Sequence, residues 1–279
     1  MTQKYQTNYQ DLLKMMAMIT MVIDHLGLYF FPDLVIMRII GRYTMPIFCF
    51  FVGYNYHKGV SFKILIAGII LYLIQIYIIN GGVFTSEKLS FTSDGDLIIP
   101  RILYDINNEF VSPDILITIF VGQVYISFLQ KYLCNFWFAY SNVVILAILD
   151  ICLEKAFAYG TLGLAIIVIG FIVKYHKETV KVLAIVVGTL QFIHTEYYFN
   201  DFFTFTPIQH ILVFVTSFLV YFSLVIKKFD NVMVINIKWL TRNSLSFYVG
   251  HLVLIQFAWV CMAFLYPQIP NNIFFIHQV

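Results

Sequence analysis

The chain has 279 residues, of which 61% are hydrophobic and only 11% charged, and its mean hydropathy is +0.84. A soluble domain carries about 25% charged residues, so this composition excludes one water-soluble core. The net charge is +2 and the 17 lysines and arginines are scattered, which leaves no basic block for nucleic acid.

The apolar runs are continuous and about 20 residues long, as helices that cross a bilayer require. In lipid, every backbone N–H and C=O group must be paired within its own segment, which favours helices over an open sheet. The sequence therefore predicts an all-α, polytopic membrane helical bundle. In chain order, its nine predicted transmembrane helices are 12–31, 35–56, 61–80, 114–133, 136–153, 156–175, 179–198, 207–226 and 243–265.

Two features interrupt this pattern. Pro46 lies inside the second predicted helix, where it should cause a kink and free the carbonyl of Arg42 from its helical bond. Residues 81–113 form the one long connection, and its SDGD stretch lacks the spaced ligands of a calcium loop and predicts a turn. Internal repeats and a second domain are not evident, so we interpret residues 1–279 as a single integral membrane domain.

The distribution of positive charge predicts the topology. With nine helices, 12 of the 17 lysines and arginines fall on the side of the N-terminus. Positive residues concentrate in cytoplasmic loops, so we expect a cytoplasmic N-terminus, an extracytoplasmic C-terminus and an extracytoplasmic 81–113 loop. The predicted location is the inner (cytoplasmic) membrane, as a multi-pass protein.

Four ionisable residues lie in the first predicted hairpin: Asp24, His25, Arg38 and Arg42. Charged groups inside a bilayer are costly and usually functional. Asp24 and Arg42 are each nine positions from Asp33 in the turn, so both should lie roughly 13 Å below the outer surface. Arg38 is one helical turn from Arg42 on the same face, which predicts a cluster of two guanidinium groups and one carboxylate.

This cluster suits acyl transfer. A histidine titrates near neutral pH and can act as a general base, which makes His25 the candidate base. Arg38 and Arg42 are candidates for binding an anionic group or a developing oxyanion, and Asp24 for holding charge and orientation. The alternative is that Asp24 and Arg42 form an ion pair that only fixes helix packing, with His25 hydrogen-bonded in the core.

Two further polar groups are candidates for contact with substrates. His194 and His210 flank the turn at 199–206 and are candidates for lining an outer vestibule; their spacing fits no zinc motif, so we predict no metal. Asn243, Tyr248 and His251 open the last helix and are candidates for binding a coenzyme thioester from the cytoplasm. The alternative for these three is a polar helix entry with ordinary tyrosine anchoring.

Other signatures are missing or weak. The four cysteines are far apart, without a C-x-x-C pair, which favours a packing role over disulfides or metal ligation. The sequence has no phosphate-binding loop, no G-x-S-x-G and no H-E-x-x-H. These absences argue against ATP-driven transport by this chain alone and against known membrane metalloprotease chemistry.

Several segments resemble the TraX family, the multi-pass pilin acetylases of conjugation systems. They are Ile23-Asp24-His25, Gly41-Arg42 with Met45-Pro46-Ile47-Phe48, Tyr159-Gly160 with Gly163, and the final SFYVGHL with His251 in the matching place. More distantly, the chain is similar to membrane acyltransferases that move acetyl groups from coenzyme A across a bilayer. The resemblance implies acetylation of an acceptor amine by acetyl-CoA, with Asp24, His25 and Arg42 at the matching motif positions.

The favoured hypothesis is therefore an integral membrane acyltransferase of the cell envelope. Its partners would be acyl-CoA, the lipid bilayer and a peptide or envelope acceptor, such as a pilin-like N-terminus. The alternatives are a small-solute or proton-coupled transporter and a non-catalytic membrane scaffold. A typical secondary transporter has internal repeats, and the lack of evident repeats in this sequence counts against the first alternative.

Overall fold

The computed structural model describes residues 9–31, 34–56, 59–79, 114–153, 161–173, 188–189, 192–193, 206–225 and 238–265. In these ranges the regular secondary structure is helical, without strands. The helices are α1 (Tyr9–Phe30), α2 (Val35–Gly41), α3 (Thr44–Tyr54), α4 (Phe62–Ile79), α5 (Ile115–Leu133), α6 (Phe136–Leu153), α7 (Leu162–Ile172), α8 (Pro207–Val225), α9 (Lys238–Arg242) and α10 (Ser244–Leu265).

Three segments in the described part of the chain are long and apolar enough to cross a membrane. They are Tyr9–Phe30, Val35–Tyr54 and Ile115–Leu133. The predicted bounds of α1, α4, α5, α6, α8 and α10 agree with the observed ones to within three residues. Most of the predicted helix 179–198 and the whole 81–113 connection lie outside the described residues.

The second predicted helix is interrupted, as Pro46 indicates. α2 ends at Gly41 and α3 begins at Thr44, with Arg42 and Tyr43 in a turn between them. Pro46 is the third residue of α3 and has no N–H to donate to the carbonyl of Arg42. The break places Arg42, one of the four residues of the predicted hairpin cluster, at a bend in the chain.

Helix α7 forms the centre of the bundle. All eleven of its residues, Leu162–Ile172, are buried. Gly53 of α3 and Gly170 of α7 allow close contact between backbones, because a Cβ added at either would overlap the opposite main chain. The Asp150 carboxylate of α6 accepts a hydrogen bond from the first N–H of α7, at Leu162, at 2.7 Å. An aspartate from a neighbouring helix therefore caps this apolar helix.

Helices α1 and α10 run side by side in the same direction. Asp11 near the start of α1 accepts a hydrogen bond from Thr241 of α9 at 2.9 Å. Further along, His25 meets His251 and Tyr29 meets Gln256. Helix α1 therefore brings His25 and Tyr29 of the first hairpin against the last helix of the bundle.

Candidate active site

The first component of the site is a buried ion pair between α1 and α2. The Arg38 Nη1 atom lies 2.8 Å from Asp24 Oδ1, and the two side chains are only 8% and 10% exposed. The same Nη1 group donates a hydrogen bond to the backbone carbonyl of Asp24 at 3.3 Å. The guanidinium therefore holds both the carboxylate and the main chain of α1 at this level.

Gly41 explains why the two helices approach so closely here. A Cβ added at Gly41 would overlap the Cβ and the carboxylate of Asp24, so a larger residue cannot occupy this position without moving α2. Asp24 is thus level with Gly41, one residue before Arg42. The sequence predicts Asp24 and Arg42 at the same depth in the membrane, and this prediction is correct to about one residue.

The second component is a contact between two imidazoles. His25 Nδ1 of α1 lies 2.8 Å from His251 Nε2 of α10, and the ring centroids are 5.0 Å apart. His251 is buried and His25 is half-buried. The sequence predicts His25 in the outer half of the membrane and His251 in the inner half, so this contact corrects the prediction. The structure brings them together because α10 runs alongside α1, an arrangement that helix periodicity alone cannot reveal.

The hydrogen bonds of this pair determine the tautomers. His251 Nδ1 is 3.0 Å from the carbonyl oxygen of Phe247, which can only accept, so Nδ1 carries the proton. In a neutral ring, Nε2 of His251 is then the acceptor, and His25 must donate from Nδ1. This leaves the lone pair of His25 on Nε2, where a proton from a substrate can be taken up.

Aromatic groups hold His251 in place. The Phe247 ring stacks on its imidazole and the Tyr248 ring meets it edge-on, both with centroids 5.7 Å away. The Tyr248 hydroxyl donates to Asp114 Oδ2 at 2.9 Å, and Asp114 Oδ1 caps α5 by accepting from the Leu116 N–H. Tyr248 is therefore anchored to the start of α5.

The chain belongs by sequence to a known family. The model of the family described as TraX protein matches residues 9–85. An uncharacterized protein of Rickettsia prowazekii (strain Madrid E) is 34% identical over 262 residues, covering 91% of this chain and 94% of that protein. The chain is a member of the TraX family. No solved structure matches it.

The TraX match includes the whole first hairpin, with Asp24, His25, Arg38 and Arg42. The family is defined here by sequence and not by an activity, and the Rickettsia relative is uncharacterized. Family membership, together with helices able to span a bilayer, makes the chain a TraX family membrane protein.

The other predicted site residues lie apart from the imidazole pair or outside the described residues. Asn243 is exposed at the junction of α9 and α10, where its amide donates to the carbonyl of Trp239 at 2.9 Å. His210 is half-buried in the first turn of α8, and His194 is outside the described residues. Within the described ranges, no three His, Cys, Asp or Glu side chains form a group suited to a metal ion.

Two polar residues next to this site were not singled out from the sequence. Gln256 of α10 is 4% exposed, and its amide nitrogen donates to the Tyr29 hydroxyl at 3.3 Å. Tyr29 follows His25 by one helical turn, so this contact forms the next layer along α1 and α10. The signal that pointed to them was weak: Tyr29 keeps the i, i+4 spacing from His25, and Gln256 is an amide within an apolar stretch.

Proposed function

We propose that this TraX protein is an integral membrane acyltransferase that moves an acetyl group from acetyl-CoA to an amine of an envelope acceptor. The acceptor class is a pilin-like N-terminus or another envelope peptide. The observation that carries this proposal is the His25–His251 contact of 2.8 Å, which leaves a lone pair on His25 Nε2. His25 directly follows Asp24, which belongs to the buried aspartate–arginine pair.

The chemistry assigns one step to each component. The acceptor nitrogen attacks the thioester carbonyl carbon while its proton passes to His25 Nε2. Arg38 and Arg42 supply positive charge for the oxyanion, and Asp24 holds the Arg38 guanidinium in place. The intermediate then collapses: the C–S bond breaks, the thiolate of coenzyme A takes the proton from His25, and the amide product leaves.

The proposed topology brings the two substrates from opposite sides. It keeps the nine helices, with a cytoplasmic N-terminus, an extracytoplasmic C-terminus and an extracytoplasmic 81–113 loop, in the inner membrane. The donor would approach from the cytoplasm past the exposed Asn243 and Arg242, where positive charge suits the phosphates of coenzyme A. The acceptor would come from the outer side, past His194 and His210.

Replacing His25 by asparagine tests this proposal. The amide of the introduced asparagine can occupy the position of the imidazole Nδ1 and still donate to His251, but nothing replaces Nε2. Membranes carrying His25→Asn should therefore lose about 100-fold or more of the transfer of labelled acetyl from acetyl-CoA to envelope peptides, at an unchanged level of inserted protein. The matched control is Cys134→Ser, an exposed thiol that should retain full activity.

Full activity of His25→Asn would remove this histidine from the mechanism. Absence of transfer by the wild-type protein, with mass spectra of envelope peptides identical with and without it, would reject the acyltransferase as a whole. A buried ion pair is also what a proton-coupled transporter would use, and uptake into proteoliposomes without an acyl donor would favour that alternative.

A further inference from the structure

His251 is placed to act on His25 rather than on a substrate. Its Nε2 atom faces His25 Nδ1 at 2.8 Å, and its Nδ1 atom faces the Phe247 carbonyl at 3.0 Å. Both ring nitrogens are therefore engaged within the protein. A side chain with both nitrogens engaged in this way has no atom left to hold a coenzyme or to accept a proton from an acceptor amine.

We infer that His251 is a positioning residue that fixes His25 in the tautomer with its proton on Nδ1. This inference rests on the proposed function, since it assigns His25 as the base. It replaces the coenzyme-binding role that the sequence suggested for His251. The Phe247 carbonyl belongs to the backbone of α10, so the direction of the hydrogen-bond chain is determined by the helix itself.

The same chain of hydrogen bonds, from His25 through His251 to the Phe247 carbonyl, also stabilises the charged state of the base. When His25 Nε2 takes a proton, the ring becomes a cation and its Nδ1–H group donates a charge-assisted bond to His251. A base oriented by a third group is the logic of catalytic triads, in which a carboxylate holds the histidine. Here the orienting group is a neutral imidazole, which adds no negative charge between two helices.

Two amide substitutions at position 251 separate positioning from other roles. In His251→Gln, the side-chain oxygen can occupy the place of Nε2 and still accept from His25. In His251→Asn, the shorter amide can reach the Phe247 carbonyl but not His25. We expect His251→Gln to retain roughly a tenth of kcat and His251→Asn to lose about 100-fold or more, with the KM for acetyl-CoA changed by less than about twofold in both.

A spectroscopic measurement tests the inference without relying on activity. Nitrogen-15 NMR of histidine-labelled full-length protein in lipid should show His25 protonated on Nδ1 in the wild type and in His251→Gln. In His251→Asn the proton should redistribute between the two nitrogens. If the tautomer is as expected but no acetyl transfer occurs, the proposed function fails while the positioning geometry stands.

Three results would overturn the inference. The first is equal kcat for the glutamine and asparagine variants. The hydrogen bond that the side chain at position 251 accepts from His25 would then have no effect on the reaction. The second is a large rise in the KM for acetyl-CoA at unchanged kcat, which would restore the coenzyme-binding role. The third is an unchanged His25 tautomer in His251→Asn.

Discussion

At the scale of single residues, the ion pair and the imidazole pair differ in what they require. Asp24 and Arg38 are charged and about nine-tenths buried, so each depends on the other for compensation of its lost hydration. The histidines are arranged so that both can stay neutral until a proton arrives. The proposed site therefore combines an ion pair whose charges stay constant with a base whose charge changes during the reaction.

Breaking the ion pair should damage the protein more than removing it. Arg38→Gln leaves Asp24 charged and buried, so we expect the free energy of unfolding to fall by about 3–5 kcal/mol. We also expect this variant to lose acetyl transfer. The double variant Asp24→Leu with Arg38→Met should recover most of that stability but no activity. Thermal unfolding in detergent and the labelled transfer assay measure the two effects.

Lys131→Gln is the control for removing a positive charge, because Lys131 is exposed in the last turn of α5. It should change neither quantity. An active, stable double variant would show that the ion pair serves packing alone. The packing alternative from the sequence named Arg42 as the partner of Asp24, whereas the structure pairs Asp24 with Arg38.

The sequence was informative about which residues are unusual and less so about their partners. Asp24, His25, Arg38 and Arg42 stand out because charge is costly in an apolar segment. The depth of Asp24 relative to α2 could be predicted by counting residues from the turn, because the hairpin joins α1 and α2 directly. The contact with His251 did not, since 226 positions separate it from His25 and only the packing of α10 on α1 brings them together.

At the scale of helices, the glycines set the distances on which the site depends. Gly41 meets Asp24, and Gly53 and Gly170 bring α3 and α7 into backbone contact. Small residues are common where membrane helices approach closely. Periodicity predicted most helix bounds, but it could not assign these contacts, because a glycine in a sequence does not indicate which helix it faces.

Gly41→Ala should therefore push α2 away from α1. The added methyl group would overlap the Asp24 side chain, and relief requires a shift of the helix that holds Arg38. We expect acetyl transfer to fall by about tenfold or more and stability to fall by about 1–3 kcal/mol. Activity and thermal unfolding of the purified protein are the measurements.

Gly250→Ala is the matched control for this substitution. A Cβ at Gly250 of α10 would enter open space, although its neighbour in the sequence is His251. Alanine is a better helix former than glycine, so this variant should be as stable as the wild type or slightly more stable. Equal effects of the two substitutions would contradict the close-approach argument.

At the scale of the whole molecule, the proposed topology can be tested with a native cysteine. Cys134 is exposed just after α5, on the side that the distribution of lysine and arginine assigns to the cytoplasm. A membrane-impermeant maleimide should therefore label it only after the cells are permeabilised. Labelling of intact cells would invert the proposed orientation.

A second position gives the opposite expectation. Ser93→Cys, in the Cys134→Ser background, lies in the predicted extracytoplasmic connection and should be labelled in intact cells. The Cys134→Ser protein alone gives the background to be subtracted, because its remaining cysteines, Cys49, Cys152 and Cys261, all lie within predicted membrane helices. Equal labelling of both positions before permeabilisation would show that the predicted number of crossings between them is wrong.

The enclosed position of α7 has a consequence for how hydrophobicity is interpreted in this protein. A residue that faces lipid and a residue that faces other helices satisfy a hydropathy scan equally well, and α7 is apolar throughout while every one of its side chains is covered. Its sequence is constrained by the shapes of its neighbours rather than by the bilayer. Substituting one aliphatic residue for another should therefore be tolerated on the outer helices and penalised at this central position.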